Sequence, residues 1–481
     1  MSGATAVLWL LGVAHADRPD EGAGLHPYDA ADVLSAVDGP EGRVRVHFSV
    51  SGPNATLLDD DDADGAPDFP ALVAQRGEAV LDAFAAAGFR APVAEEELGL
   101  DGAGGSPAFD IYLVDFGGSA DGQFAVDACA GDVCTGHFLI ENDFAGYGYP
   151  DLAEAVEVLT RHELFHAVQA AYTRTLPSWA SEGTATWAED LLSPPVDDFY
   201  RLCSAYLLEP ERSLDRPPAG VTTAWSYGTA LFFSAMSLEQ GPGAIAVFLE
   251  EMAGRDAAEA VAAIDAALRA GGGTLPSTFA RFAVWNAATG RRHGELEGWP
   301  FGDALRTVNP TAEGARVDDE LRFYPLAAHY FRLDHPGGPL AFATAEDPSG
   351  LVLQALPVAG GRPDGPVREA GASVAPRAPG VHPIGDLPAG GVWVVAVVPA
   401  PRDESVKIPF CLGPAEAVAE CGPGPAVDTG GDTAAGGVAG AAAESGCGCR
   451  SVPGSALPAG LGLLLAVTAA RRARRPTPPA C

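Results

Sequence analysis

The sequence reads as an α+β chain: a helix-rich unit with a few strands first, a β-sandwich second, and a short membrane or sorting segment last. Three observations carry this reading. Val156 to Tyr172 contains no Gly or Pro and repeats apolar side chains at Val156, Leu159, Phe165, Val168 and Tyr172, mostly three or four residues apart, as a helix with one buried face requires. Apolar runs at Val44 to Val50 and Phe109 to Val114 supply strands before it. Near Val317 this texture gives way to short β-rich runs separated by Gly and Pro turns. A chain of 481 residues is also too long for one core.

At the N-terminus, residues 4 to 14 form a short apolar run, and Ala14-His-Ala16 offers a small-x-small cleavage pattern. Residues 1–16 are therefore expected to be a signal peptide, one that lacks a basic leader, and the α+β unit then occupies 17–316. Within it, residues 60–68 place oxygen donors at positions one, three, five and nine (Asp60, Asp62, Asp64, Asp68) and Gly65 at six, the first part of a calcium loop. Ala71 stands where such a loop carries its bidentate acid. The segment reads either as a structural Ca2+ site completed from elsewhere or as a solvated acidic turn capping a helix over Pro70 to Gly88.

His137 to Phe144 reads as a strand running into a turn, and Gly146-Tyr-Gly-Tyr-Pro150 as a mobile rim. Two helices over 152–192 follow. On the first, His162 and His166 of the HELFH segment lie four residues apart, so both imidazoles can turn toward one ion, with Glu163 beside them. Two histidines leave a tetrahedral zinc two positions short, and a catalytic site fills one of those with protein. Leu176-Pro177-Ser178 stops the helix and opens a second, which carries Trp179, Glu182, Thr186 and Glu189 along one face. An antiparallel return would bring either glutamate over the histidines. Glu182 is nearer the turn and is followed by Gly183, where two helices can approach closely; Glu189 then fits better as a partner that orients a ligand.

HELFH together with WASEGTATWAE resembles the gluzincin clan of metallopeptidases. More narrowly, the D-x-D-x-D-G segment, ENDF before the helix and HELFHAVQ within it resemble uncharacterised metalloproteases of myxobacterial type. The resemblance covers roughly residues 26–300 and is most specific from Leu139 to Asp190. It implies a zincin-like fold and Zn2+ held by His162, His166 and Glu182. Protein or peptide substrates would be hydrolysed by a metal-activated water, with Glu163 as general base.

The resemblance also implies that the His137 to Phe144 strand is the edge along which substrate lies, although an ordinary sheet strand is an equal alternative. Tyr227 would donate to the oxyanion, by analogy with aminopeptidase-like members. Their Y-x-K-G pattern is not reproduced, since Gly228 follows directly and no lysine is present. Glu157, Glu189 and Asp190 are candidates to orient the histidines. The competing reading from another class is a catalytically silent surface adhesin built on the same scaffold, and the intact motif favours the enzyme.

Further helices are expected at Tyr227 to Glu239, Ala244 to Met252 and Ser277 to Ala287. Residues 317–412, with runs at Ala327 to Leu333, Leu351 to Leu356 and Gly391 to Val398, form the expected β-sandwich. A Gly- and Ala-rich linker covers 413–446. The last segment, 447–481, contains Cys447-Gly-Cys449, an apolar run from Ala456 to Ala470, and Arg471, Arg472, Arg474 and Arg475. It resembles the C-terminal sorting signal of myxobacterial surface proteins, which implies sorting and processing machinery, a membrane anchor and a place at the cell surface or outside it. Eight cysteines suit an oxidising compartment: Cys129 with Cys134 and Cys411 with Cys421 can pair, leaving Cys203 over. A net charge of −35 repels phosphates and excludes nucleic acid as a partner.

Overall fold

Strands β1 (Leu34–Asp38) and β2 (Val44–Ser49) pair as an antiparallel hairpin, and helix α1 (Asp68–Ala86) then crosses over to β3 (Phe109–Val114), which lies parallel to β2. Strands β4 (Gly122–Ala130) and β5 (Val133–Glu141) form a second hairpin, giving a mixed sheet of order β1-β2-β3-β5-β4. This computed structural model describes residues 18–22, 26–100, 103–191, 197–219, 222–358, 371–402 and 404–421. The expected signal peptide, the Gly- and Ala-rich linker beyond Cys421 and the C-terminal sorting segment lie outside the described residues; the expected start of the linker, 413–421, is instead the end of a strand (Val406–Pro414) and a short helix, Ala415–Val418. The molecule is a mixed α+β structure with several sheets, and among the described residues no helix is long and apolar enough to cross a membrane.

Strand alternation decides which face of the first sheet meets the helices. Val44, Val46, Phe48, Ile111, Leu113, Phe138 and Ile140 face one way and join a core with Val73, Val80 and Phe84 of α1. Gly77 lets that helix come close, since a Cβ there would stand 3.2 Å from the Val44 methyls. The opposite face carries Tyr112, Val114 and Leu139 and is covered by the N-terminal segment, where Tyr28 packs in the same small cluster. Arg18 inserts at the end of this cover and pairs with Glu95, Asp110 and Asp127, all buried; Asp110 also meets His47, and Asp127 meets His137.

Helix α2 (Leu152–Ala170) begins at Asp151, whose carboxylate accepts the Glu154 N–H and satisfies one of the free donors at a helix start. Phe165 on its back packs edge-on against Phe84, Phe89 and Trp187, with ring centroids 5.1–5.8 Å apart, so removing that ring costs about 3–5 kcal/mol. Helix α3 (Ser178–Leu191) returns over α2, and α4 (Asp197–Tyr206) follows. The helix expected over Tyr227 to Glu239 is two, α5 (Ala224–Gly228) and α6 (Ala230–Gln240). They meet at Thr229, whose hydroxyl bonds the Trp179 and Ser226 carbonyls. Gly183 allows this contact: a Cβ there would lie 2.1 Å from Thr229 Oγ1. Helices α7 (Gly243–Met252), α8 (Ala260–Ala270) and α9 (Leu275–Ala287) complete the layer, α8 being one the sequence reading passed over.

The β-rich part supplies β6 (Ala312–Gly314), β7 (Val317–Phe323), β8 (Ala328–His335), β9 (Gly338–Thr344), β10 (Val352–Pro357), β11 (Ala372–Val374), β12 (Gly380–Leu387), β13 (Gly390–Val397) and β14 (Val406–Pro414). They form two sheets, β11-β10-β13-β8-β6 and β12-β9-β14-β7, which share a core of Phe331, Leu353 and Val394 against Phe342, Phe410 and Leu412. Strand β13 explains its unbroken apolar run by being buried on both faces: Val392, Val394 and Ala396 enter that core, while Trp393, Val395 and Val397 join the helical one. Tyr330 and Gln354 also reach the Ala283 and Ala280 carbonyls of α9.

Candidate metal centre

His162 and His166 lie four positions apart on α2, and one helical turn puts their ring centroids 4.9 Å apart. From α3, Glu182 Oε2 lies 3.3 Å from His162 Nε2 and 3.6 Å from His166 Nε2. One donor atom from each of the three residues falls within 4.8 Å of the others. The outer nitrogens are occupied: His162 Nδ1 lies 2.7 Å from Glu189 Oε1, and His166 Nδ1 lies 2.9 Å from Gln169 Oε1. With Nδ1 committed in each case, the two Nε2 atoms converge on the Glu182 oxygen and, once deprotonated, would be the ligand atoms for a cation. Gln169 is itself fixed by donating to the Ser181 carbonyl and Thr184 hydroxyl of α3.

This geometry separates the two candidate glutamates. Glu182 stands on the Nε2 side with the converging donors, and Glu189 on the Nδ1 side of His162. Two imidazole nitrogens and one carboxylate oxygen, each imidazole braced from behind, form a donor set that fits a borderline divalent cation such as zinc. No known protein family matches this chain, and no curated protein does. The family resemblance read from the motifs therefore rests on those residues alone.

Electrostatics reinforce the convergence. Burial disfavours the charged form of His162, yet hydrogen bonds to Glu182 and Glu189 outweigh it and raise its pKa well above the usual value. His166 is raised in the same way, against burial, by Glu182. Burial also works against a charged Glu182, but the two imidazoles hold its pKa far below the usual carboxylate range. Glu163 is buried next to this group, and burial raises its pKa while His162 and His166 pull it down.

The three ligand candidates, Glu163 and Tyr227 share one cavity of about 390 Å³. Tyr227, on the short helix α5, lies tilted beside His162 with centroids 5.7 Å apart and hydrogen-bonds Glu182; burial, then the charge of Glu182, raises its pKa. The opposite wall is β4, through Gly122, Gln123, Phe124 and Val126. A Cβ on Gly122 would stand 2.8 Å from Glu163 Oε1, so the strand runs hard against that carboxylate.

This corrects the cleft wall expected at His137 to Phe144. Most of that segment is β5, hydrogen-bonded to β3 on one side and β4 on the other, which leaves it no free edge; His137 turns to Asp127 on the far face. Sequence reasoning missed β4, whose one signal is the short apolar run Phe124 to Val126 between Gly122 and Asp127. Of the residues expected to orient histidines, only Glu189 touches one. Glu157 pairs with Arg161 and Arg76, and Arg161 then donates to the Glu189 carbonyl. Asp190 faces Arg161; burial lifts its pKa to about 6 against the pull of that arginine. At the expected rim, Tyr147 and Tyr149 are half-buried and bonded to Glu141 and Asp121.

In the acidic loop, carboxylate oxygens of Asp60, Asp62 and Asp64 gather within 4.8 Å and are exposed. They are occupied in holding the turn, accepting from the Asp64, Gly65 and Ala66 N–H groups. Asp68 stands apart from that group and accepts from the Asp61 N–H. Disulfides join Cys129 to Cys134 across the β4–β5 hairpin and Cys411 to Cys421, and Cys203 is a buried free thiol.

Proposed function

We propose that the chain is a zinc metallopeptidase of gluzincin type that hydrolyses peptide bonds in extracellular proteins or peptides. The observation that carries this reading is the convergence of His162, His166 and Glu182 in a cleft beside a buried Glu163. Zinc bound there would supply Lewis-acid chemistry that acidifies water near neutral pH. Glu163 Oε1, held against β4, would take a proton from the attacking water and return it to the leaving amine. The Tyr227 hydroxyl would donate to the carbonyl oxygen as it gains charge. Strand β4 is an edge with backbone groups open on the cleft side, so an extended peptide can pair along it.

Zinc content of the purified chain tests the centre: about one ion per chain in the wild type and none in Glu182→Ala is expected. Glu163→Gln should keep the zinc and lose hydrolysis. A well-folded wild type without zinc would sink the reading. Two disulfides support the proposal that the protein is exported, as the expected terminal signals imply. We also propose that Asp60, Asp62 and Asp64 hold Ca2+ in a structural role; added calcium should then raise the melting temperature, and an unchanged value would count against it.

A further inference from the structure

We propose that Arg174 reads a carboxylate on the substrate three or four residues from the scissile bond, making the cleft selective for acidic peptides. The inference rests on the peptidase reading above. Arg174 is exposed, lines the same cavity as Glu163 and His166, and is the one Lys or Arg among the described residues that line it. Acidic residues outnumber basic ones 64 to 29 in this chain, and other arginines of the unit find carboxylates, as Arg45 does with Asp38 and Arg161 with Glu157. Arg174 makes no ion pair or hydrogen bond among the described residues.

Its place along the cleft sets the distance. Helix α2 ends at Ala170, and the Thr173 N–H still bonds the Gln169 carbonyl, so one closing turn carries the chain from the helix end toward Arg174. Eight residues past His166, at ~1.5 Å each, put Arg174 ~12 Å further along. Strand β4 spans the same interval: Gly122 faces Glu163, Val126 lines the cleft further on, and four residues of strand cover ~13 Å. A peptide extended along β4 therefore brings its third or fourth residue from the cut beside the guanidinium. That planar fork matches a carboxylate by two parallel hydrogen bonds. The net charge of −35 repels acidic peptides elsewhere, so this cation decides where they dock.

The test uses the full chain supplied with zinc and a defined peptide library scored by mass spectrometry, with wild type, Arg174→Gln and Arg174→Glu. Wild type should prefer Asp or Glu over Asn or Gln at that position on the order of tenfold in kcat/KM. Arg174→Gln should abolish the preference while cleaving neutral peptides within about twofold of wild type. Arg174→Glu should favour Lys or Arg instead. Peptides with free and amidated C-termini separate a side-chain carboxylate from a terminal one. Anisotropy of the same labelled peptides on Glu163→Gln should show the same preference in binding. Neutral and acidic peptides cut and bound alike, with no change in Arg174→Gln, would overturn this inference alone. A zinc-loaded chain that cuts no peptide would overturn the peptidase reading and this one with it.

Discussion

Gly122 decides how near the cleft wall comes to Glu163. Alanine there would push its Cβ to 2.8 Å from Oε1, and the buried carboxylate would have to swing away. Gly122→Ala should lower kcat about a hundredfold, as misplacing a catalytic group by ~1 Å does, while zinc content and melting temperature hold. Steady-state kinetics with metal analysis checks this, and an unchanged kcat would mean that Glu163 does not act from this position. The ligand candidates were legible because His162, Glu163 and His166 share one helix and Glu182 follows a short turn. Gly122 was not, because its contribution is space left for a residue on another element. Thr229 was hidden for a related reason: its hydroxyl reaches the Trp179 carbonyl on a separate helix and breaks what reads as one continuous helical pattern.

The N-terminal cover over β3, β4 and β5 has its own electrostatic logic. Arg18 meets three buried carboxylates, and one guanidinium cannot neutralise all of them. Burial lifts Glu95 to about 7 despite the pull of Arg18, with Asp110 and Asp127 adding to the rise. The folded state therefore holds a proton on Glu95 more tightly than the unfolded chain, whose value is 4.5. Between these values the native state binds more protons, so stability falls as pH rises from 4.5 toward 7. Glu95→Gln should flatten that decline in denaturant midpoints measured across the window, and an unchanged slope would contradict the assignment. Sequence could not disclose this cluster, because its members come from the N-terminal segment, a short turn and two strands. The first sheet's strands were readable where alternation is clean, at Val44 to Ser49 and Phe109 to Val114. In β4 the alternation is broken by a bulge between Val126 and Ala128.

At the scale of the molecule, the β-sheets and the helical layer share side chains. Trp393, Val395, Val397 and Tyr330 belong to the same core as Phe279 and Phe282 of α9. A chain ended before Val317 would uncover those partners at roughly 1.5–3 kcal/mol for each large side chain. Such a fragment should aggregate or unfold, as size-exclusion chromatography would show, and a soluble monomer with full zinc content would refute the dependence. The change of texture near Val317 was visible in sequence, but the shared core was not, since period-two alternation tells which residues face out of a sheet and not what covers them. The Cys411–Cys421 disulfide has a mechanical consequence. Tension applied beyond residue 421 bypasses residues 412–420 and enters β14 at Cys411. There it meets the ladder that joins Val406 to Cys411 with β7, while the pairs of Leu412, Gly413 and Pro414 with β9 are spared the load as long as the disulfide holds.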